Sequence, residues 1–222
     1  MRDSYRDELD ATTELIVTVA GLVRTAVQDA TTALVTADLT IAERVISGDA
    51  RIDELTKEIE QRSFQLLARQ APVAGELRTV VAVLRMSYSL DRMGDLAAHI
   101  AKIARLRYPE AAAPEPIADQ IKQMAETADS MIATAITTLE NRDAEAAAGL
   151  ATADSKMDEL RSDQFHLLLS DDWEYGVEKA VDTALLGRYY ERIADHAVAM
   201  GARTIYIVTG EAPEGENWPS SF

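Results

Sequence analysis

Residues 187–211 read GRYYERIADHAVAMGARTIYIVTGE, and residues 90–104 read LDRMGDLAAHIAKIA. The first carries Glu-Arg-x-x-Asp at 191–195. The second carries Asp-Arg-x-x-Asp at 91–95, one hundred positions earlier. An acid, an arginine and a second acid thus recur at one spacing in distant parts of the chain. Such self-similarity is the signature of a supersecondary unit used twice.

Working outward, the same repetition reaches the flanking segments. DARIDEL at 49–55 matches DSKMDEL at 154–160, which aligns Asp53 with Asp158 and Asp38 with Asp143 at an offset of 105. The offset falls from 105 to 100 between the second and third segments of each half. A shorter turn at SDDWEYG than at QAPVAGELR is the expected absorber of those five residues.

The apolar residues recur at three and four, the period of a helix with one buried face. Leu15, Val19, Leu22, Val23, Ala26, Val27, Ala30 and Leu34 predict a first helix over roughly the first 36 residues. Asp38 is placed to cap a second helix running to about Arg69. QAPVAG ends it, because Pro72 cannot continue a helix. A third covers about 73–107. YPEAAAPEP at 108–116 holds three prolines and reads as a linker. The pattern then restarts with Ile117, Ile121, Met124, Ala128, Met131, Ile132, Ala135 and Leu139. A fifth helix runs to about Ser170 and a sixth covers roughly 174–209. The expected fold is all-α: two tandem, pseudo-symmetric three-helix bundles at 1–108 and 117–210, joined by a Pro-rich linker at 109–116, with a loose tail at 211–222.

Composition agrees. Of 222 residues, 47 % are hydrophobic but only 5 % aromatic, which suits packed helices better than a β-sandwich. The absence of cysteine excludes disulfides and thiolate metal sites and fits a reducing compartment. The charged N-terminus is no signal peptide, and LIVTVAGLV at 15–23 is too short to span a bilayer. A soluble cytoplasmic protein is expected. The net charge of −16 argues against nucleic acid as a partner and permits cations and basic protein surfaces.

Asp91 and Asp95, like Glu191 and Asp195, stand one helical turn apart on one face. So do Asp49 and Asp53, and Asp154 and Asp158, on the preceding helix of each half. If those helices lie side by side, four carboxylates converge twice. One reading is a solvated acidic face. The other is a site for a hard cation such as Mg²⁺, Mn²⁺ or iron, which oxygen ligands select. Arg92 and Arg192 cannot lie between the acids, since adjacent residues point about 100° apart, and are better placed to meet a neighbouring helix. No clustered basic residues mark an anion site. A di-iron oxidase or metal-storage bundle is the alternative, but it needs Glu-x-x-His on two helices, and the chain has none. His99, His166 and His196 have no repeat counterparts, although His196 lies near the acids. No phosphate-binding glycine loop or nucleophile–base arrangement supports an enzyme.

GELRTVVAVLRMSYSLDRMGDLAAHIAKIA and ALLGRYYERIADHAVAMGARTIYIVTGE resemble the two signature segments of the PhoU family, the phosphate-transport accessory regulators. The resemblance covers essentially the whole chain. It implies two similar three-helix bundles, a homodimer and a cytoplasmic negative regulator of phosphate uptake and of the phosphate-starvation response. That regulator would link the ATPase subunit of the phosphate ABC transporter to a membrane sensor histidine kinase, peripheral to the membrane itself. It also implies metal binding, with Mg, Mn, Fe or Zn as candidates. The ligands would be Asp91, Asp95, Glu191 and Asp195, joined by Asp49, Asp53, Asp154 and Asp158. The chain has Asp91 where the family often has Glu, and Ala194 where it often has Gly.

Overall fold

In the computed structural model, residues 2–69, 72 and 74–212 are described, and among them are six α-helices and no strands. They are α1 (Arg2–Thr36), α2 (Leu39–Arg69), α3 (Gly75–Arg107), α4 (Glu115–Asn141), α5 (Ala144–Leu168) and α6 (Gly176–Thr209). No helix among the described residues is long and apolar enough to cross a membrane. Most of the tail expected to be loose, from 213 onward, lies outside the described residues.

The helices form because each has an apolar stripe at helical spacing, and the repeat shows in how they end. Ala37 and Arg142, 105 apart, both take left-handed backbone angles with φ of 52°. Each closes its helix with the same bond: Asp38 N–H donates to the Ala33 carbonyl and Asp143 N–H to that of Thr138, at 3.1 and 2.9 Å. Each then starts the next helix with the same cap. The Asp38 carboxylate accepts from Ile41 N–H at 3.0 Å, and Asp143 accepts from Ala146 N–H at 2.9 Å. Asp38→Ala and Asp143→Ala should each lower the unfolding free energy by about 0.5–2 kcal/mol, with asparagine nearly neutral, as read by urea denaturation. Equal loss in the asparagine variants would show that charge, not the accepted hydrogen bond, matters there.

The helices pack as a central four with two outriders. α3 contacts α1, α2 and α6; α6 contacts α3, α4 and α5; α1 contacts α4. α2 meets only α1 and α3, and α5 only α4 and α6, among the described residues. One apolar core runs through both halves. All eight apolar positions expected for α4 are buried. In α1 the stripe is turned slightly: Ile16 and Ala20 are fully buried, while Leu22 is exposed. α3 lacks a clean polar face because three helices cover it.

Residues equivalent by repeat meet at the seam, as they must near a pseudo-two-fold axis. Arg24 of α1 and Asp129 of α4, 105 apart, form a two-pronged pair at 2.7 and 2.8 Å, to which Gln28 adds a hydrogen bond.

The offset change has a different origin from the one expected. α5 is 25 residues long against 31 for α2. The connection after α5 spans residues 169–175 and is longer than that at 70–74, not shorter. The missing residues therefore come from the C-terminal end of α5. There the chain leaves the helix at Leu169, and Ser170 donates to the Leu167 carbonyl. The proline-containing segment between α3 and α4 is packed, with Ala112 and Ala113 in the core, and Pro114 caps α4.

Candidate functional site: two acidic grooves and an arginine-lined pocket

The contacts of α2 with α3 and of α5 with α6 bring the eight repeated acids into two groups of four. In the first groove, Asp49 and Asp53 of α2 face Asp91 and Asp95 of α3. Gly94 lets the helices approach: a Cβ there would stand 3.1 Å from the Asp49 carboxylate and 3.1 Å from Ile52. Desolvation pushes the Asp49 carboxyl above its ordinary value, and the charge of Asp95 raises it further against the pull of Lys102. Desolvation also raises Asp91, opposed by a hydrogen bond from the Thr56 hydroxyl at 3.2 Å. Asp53 goes the other way, held down by Lys57 at 2.7 Å.

The second groove repeats the arrangement with Asp154 and Asp158 of α5 and Glu191 and Asp195 of α6. Asp154 is raised by desolvation and then by Asp195, Asp158 and Glu191. Asp195 is raised by desolvation and by Glu191, with Arg188 opposing. Glu191 accepts from Arg161 at 3.2 Å and from Arg188 at 2.6 Å.

Facing like charges at partly dehydrated positions are unfavourable, and both grooves answer with basic partners at the rim. The donors are all carboxylate oxygens, which suits a hard cation in chemistry. As the side chains stand, no three or more His, Asp or Glu residues among those described are grouped to hold a metal ion. Asp53, Asp95 and Glu191 would have to turn from Lys57, Arg92 and the two arginines.

The arginines of the repeated motif face elsewhere. Arg92 and Arg192 line one cavity of about 300 Å³ between α3 and α6, with Arg188, Tyr88, Tyr189 and His196. Three of these pairs are repeat mates one hundred apart: Tyr88 with Arg188, Arg92 with Arg192, and Leu96, also in the lining, with His196. Arg92 bonds to Asp95 at 2.9 Å and lies over the Tyr88 ring at 5.7 Å. Desolvation lowers the His196 pKa, and the charges of Arg192 and Arg92 lower it further. His196 therefore belongs to the arginine pocket, not to the acids. His99 stacks on Tyr189 with ring centroids 5.5 Å apart, and His166 is exposed near the end of α5. No basic cluster stands out along the chain, because these side chains come from two helices one hundred residues apart. The signal present was the paired arginine inside each acidic motif.

The PhoU domain model matches residues 16–104 and 121–204, one copy in each half. The phosphate-specific transport system accessory protein PhoU homolog 1 of Mycobacterium leprae is 41 % identical over 221 residues, covering 100 % of both chains. PhoU homolog 2 of Mycobacterium tuberculosis is 42 % identical over 213 residues, covering 96 % of this chain and 100 % of its own. The crystal structure of PhoU from Pseudomonas aeruginosa superposes with a TM-score of 0.88 at 26 % identity, over 93 % of this chain and 100 % of that one.

Proposed function

The chain belongs to the PhoU family, and on that premise we propose that it is an accessory protein of phosphate transport. It would restrain phosphate uptake and the starvation response by connecting the phosphate ABC transporter's ATPase subunit to a sensor histidine kinase on the cytoplasmic side. The observation that carries this reading is the 41 % identity over the full length of both chains to a relative named for that system. The charge of −16 and the acid-bearing outer helices α2 and α5 supply faces for basic partner surfaces. The work is docking by helix faces, in a homodimer, without catalysis. A strain lacking this chain should express phosphate-starvation genes in high phosphate, and the wild-type chain should restore repression. Repression that persists in the deletion strain removes this reading.

Hard cations enter the same reading as occupants of the grooves, with Asp49 and Asp91 in one and Asp154 and Asp195 in the other as holders. A bound cation would supply neutralisation of facing charge. The titration supports the need for it. Asp49, Asp91, Asp154 and Asp195 take up protons at higher pH in the fold than at the ordinary value of 3.8. The ionised fold therefore bears a penalty at neutral pH, relieved as pH falls through the folded values toward 3.8; Asp53, held down by Lys57, opposes this. In chelator, Asp49→Asn and Asp195→Asn should each raise stability by about 0.2–1 kcal/mol at pH 7 and flatten the gain on mild acidification. Mn²⁺ or Mg²⁺ should raise the melting temperature of the wild type and not of the double variant. An equal cation effect on both would place the ion elsewhere.

A further inference from the structure

We propose that the pocket between α3 and α6 binds a phosphoryl group through Arg92, Arg188 and Arg192. This goes beyond the adaptor reading and does not depend on it, because the pocket is argued from its own geometry.

Three guanidinium groups line one cavity in a chain whose net charge is −16. Asp95 is the one carboxylate in the lining, and it is taken by Arg92 at 2.9 Å. Arg188 is taken by Glu191, outside the lining, at 2.6 Å. Arg192 makes no hydrogen bond or ion pair among the described residues, so its fork of donors is open to the cavity. The three guanidinium groups thus share the cavity with a single carboxylate, and that one is already paired. A bound anion would give them a counter-ion.

The chemistry of the lining narrows the class of anion. Guanidinium forks match the paired oxygens of a phosphoryl group and favour it over a halide. Arg92 and Arg192 are repeat mates presented from opposite walls, so one tetrahedral group near the seam would meet equivalent donors from both halves. Tyr88 and Tyr189 add aromatic and hydroxyl character to the walls. A volume of about 300 Å³ admits orthophosphate with water or the phosphate end of a small metabolite, and lies at the lower end for small-molecule sites.

The test is calorimetric titration of the wild-type chain with orthophosphate, pyrophosphate and ADP at constant ionic strength, with sulfate and chloride as controls. Amide and side-chain NMR shifts are followed at Tyr189 and His196. Saturable binding of orthophosphate assigns the site to the free anion; binding of pyrophosphate or ADP alone assigns it to a phosphoryl group carried by a larger molecule. In either case R192Q should weaken binding by about tenfold or more, the loss of one charged hydrogen-bonding partner. R44Q, at an exposed pair with Asp29 between α1 and α2 and outside the pocket lining, should leave it unchanged. If R192Q melts below the assay temperature, R92Q supplies the same readout. Absence of saturable binding by all three ligands overturns the proposal. So does affinity unchanged in both R92Q and R192Q, or sulfate binding as tight as the best phosphoryl ligand. Because this assay involves no transporter or kinase, its failure leaves the adaptor reading standing, and the gene-expression test can fail while binding persists.

Discussion

Arg107→Ala is expected to lower the unfolding free energy by more than the loss of an exposed surface ion pair would. Arg107 is the last residue of α3, and its guanidinium reaches across the seam to the start of α6. Its Nε donates to Asp182 at 2.5 Å, and it also pairs with Glu178. Asp182 is only 5 % exposed, so its carboxylate has little recourse to water. Glu178 lies in the first turn of α6 and Arg107 in the last turn of α3, the ends at which each charge is favoured by the helix dipole, while Asp182 stands one turn further in. The two acids raise the Arg107 pKa, so the guanidinium stays charged at any working pH. Removing Arg107 leaves a carboxylate buried and unpaired, which is the costly half of a buried ion pair. Asp182→Asn should cost less, because Arg107 keeps Glu178. Replacing Arg107 and Asp182 together with leucine should recover most of the loss, since two apolar groups leave no orphaned charge. Urea unfolding of the three variants decides it: a loss for Arg107→Ala no larger than that for Arg44→Gln, at an exposed pair, would mean that water reaches Asp182.

The repeated motif explains how much of this molecule was legible beforehand. Helix periodicity placed the six elements because each apolar stripe faces one core, and α4 shows this with every expected position buried. The phase of α1 is ambiguous along the chain, since Leu15 and Leu22 are as apolar as Ile16, and only packing decides which points inward. The acids were legible as two facing groups because i, i+4 spacing fixes a helix face. The arginine between them was the harder residue. One position after the first acid is a rotation of about 100°, which carries the side chain off the α2 or α5 groove and toward the other repeat. Sequence spacing gives that rotation but not which helix stands there. The contact of α3 with α6 is the fact that turns two separate motifs into one arginine-lined pocket. The ion pair of Arg107 with Asp182 was unreadable for the same reason.

Gly187→Ala and Gly201→Ala should each lower stability by about 1–3 kcal/mol, although alanine is the better helix former. A Cβ at Gly187 would stand 1.8 Å from Gln164 Oε1 and 2.7 Å from its Cδ. Gln164 is fully buried and has little room to retreat. A Cβ at Gly201 would stand 2.6 Å from Leu150 Cδ1 and 3.0 Å from the Ala147 carbonyl, a backbone atom that cannot rotate aside. Gly48 and Gly149 are the controls: both are exposed within helices with nothing within 4 Å of the added carbon. Alanine there should stabilise by about 0.5–1 kcal/mol. Opposite signs for one chemical change separate packing from propensity, and thermal or urea unfolding of the four variants reads both. A gain at all four positions would show that α5 and α6 are not in close contact. The close contact matters for the acidic groove too. Gln164 accepts a hydrogen bond from Arg161 at 2.8 Å, and Arg161 in turn holds Glu191. Displacing Gln164 loosens Arg161 and moves α5 from α6. In Gly187→Ala, Asp195 should then titrate nearer its ordinary value, because its desolvation eases as α5 withdraws and the facing charge of Asp158 recedes. An Asp195 titration unchanged in a destabilised Gly187→Ala chain would mean that groove geometry is set by the ends of α5 and α6, not by this contact.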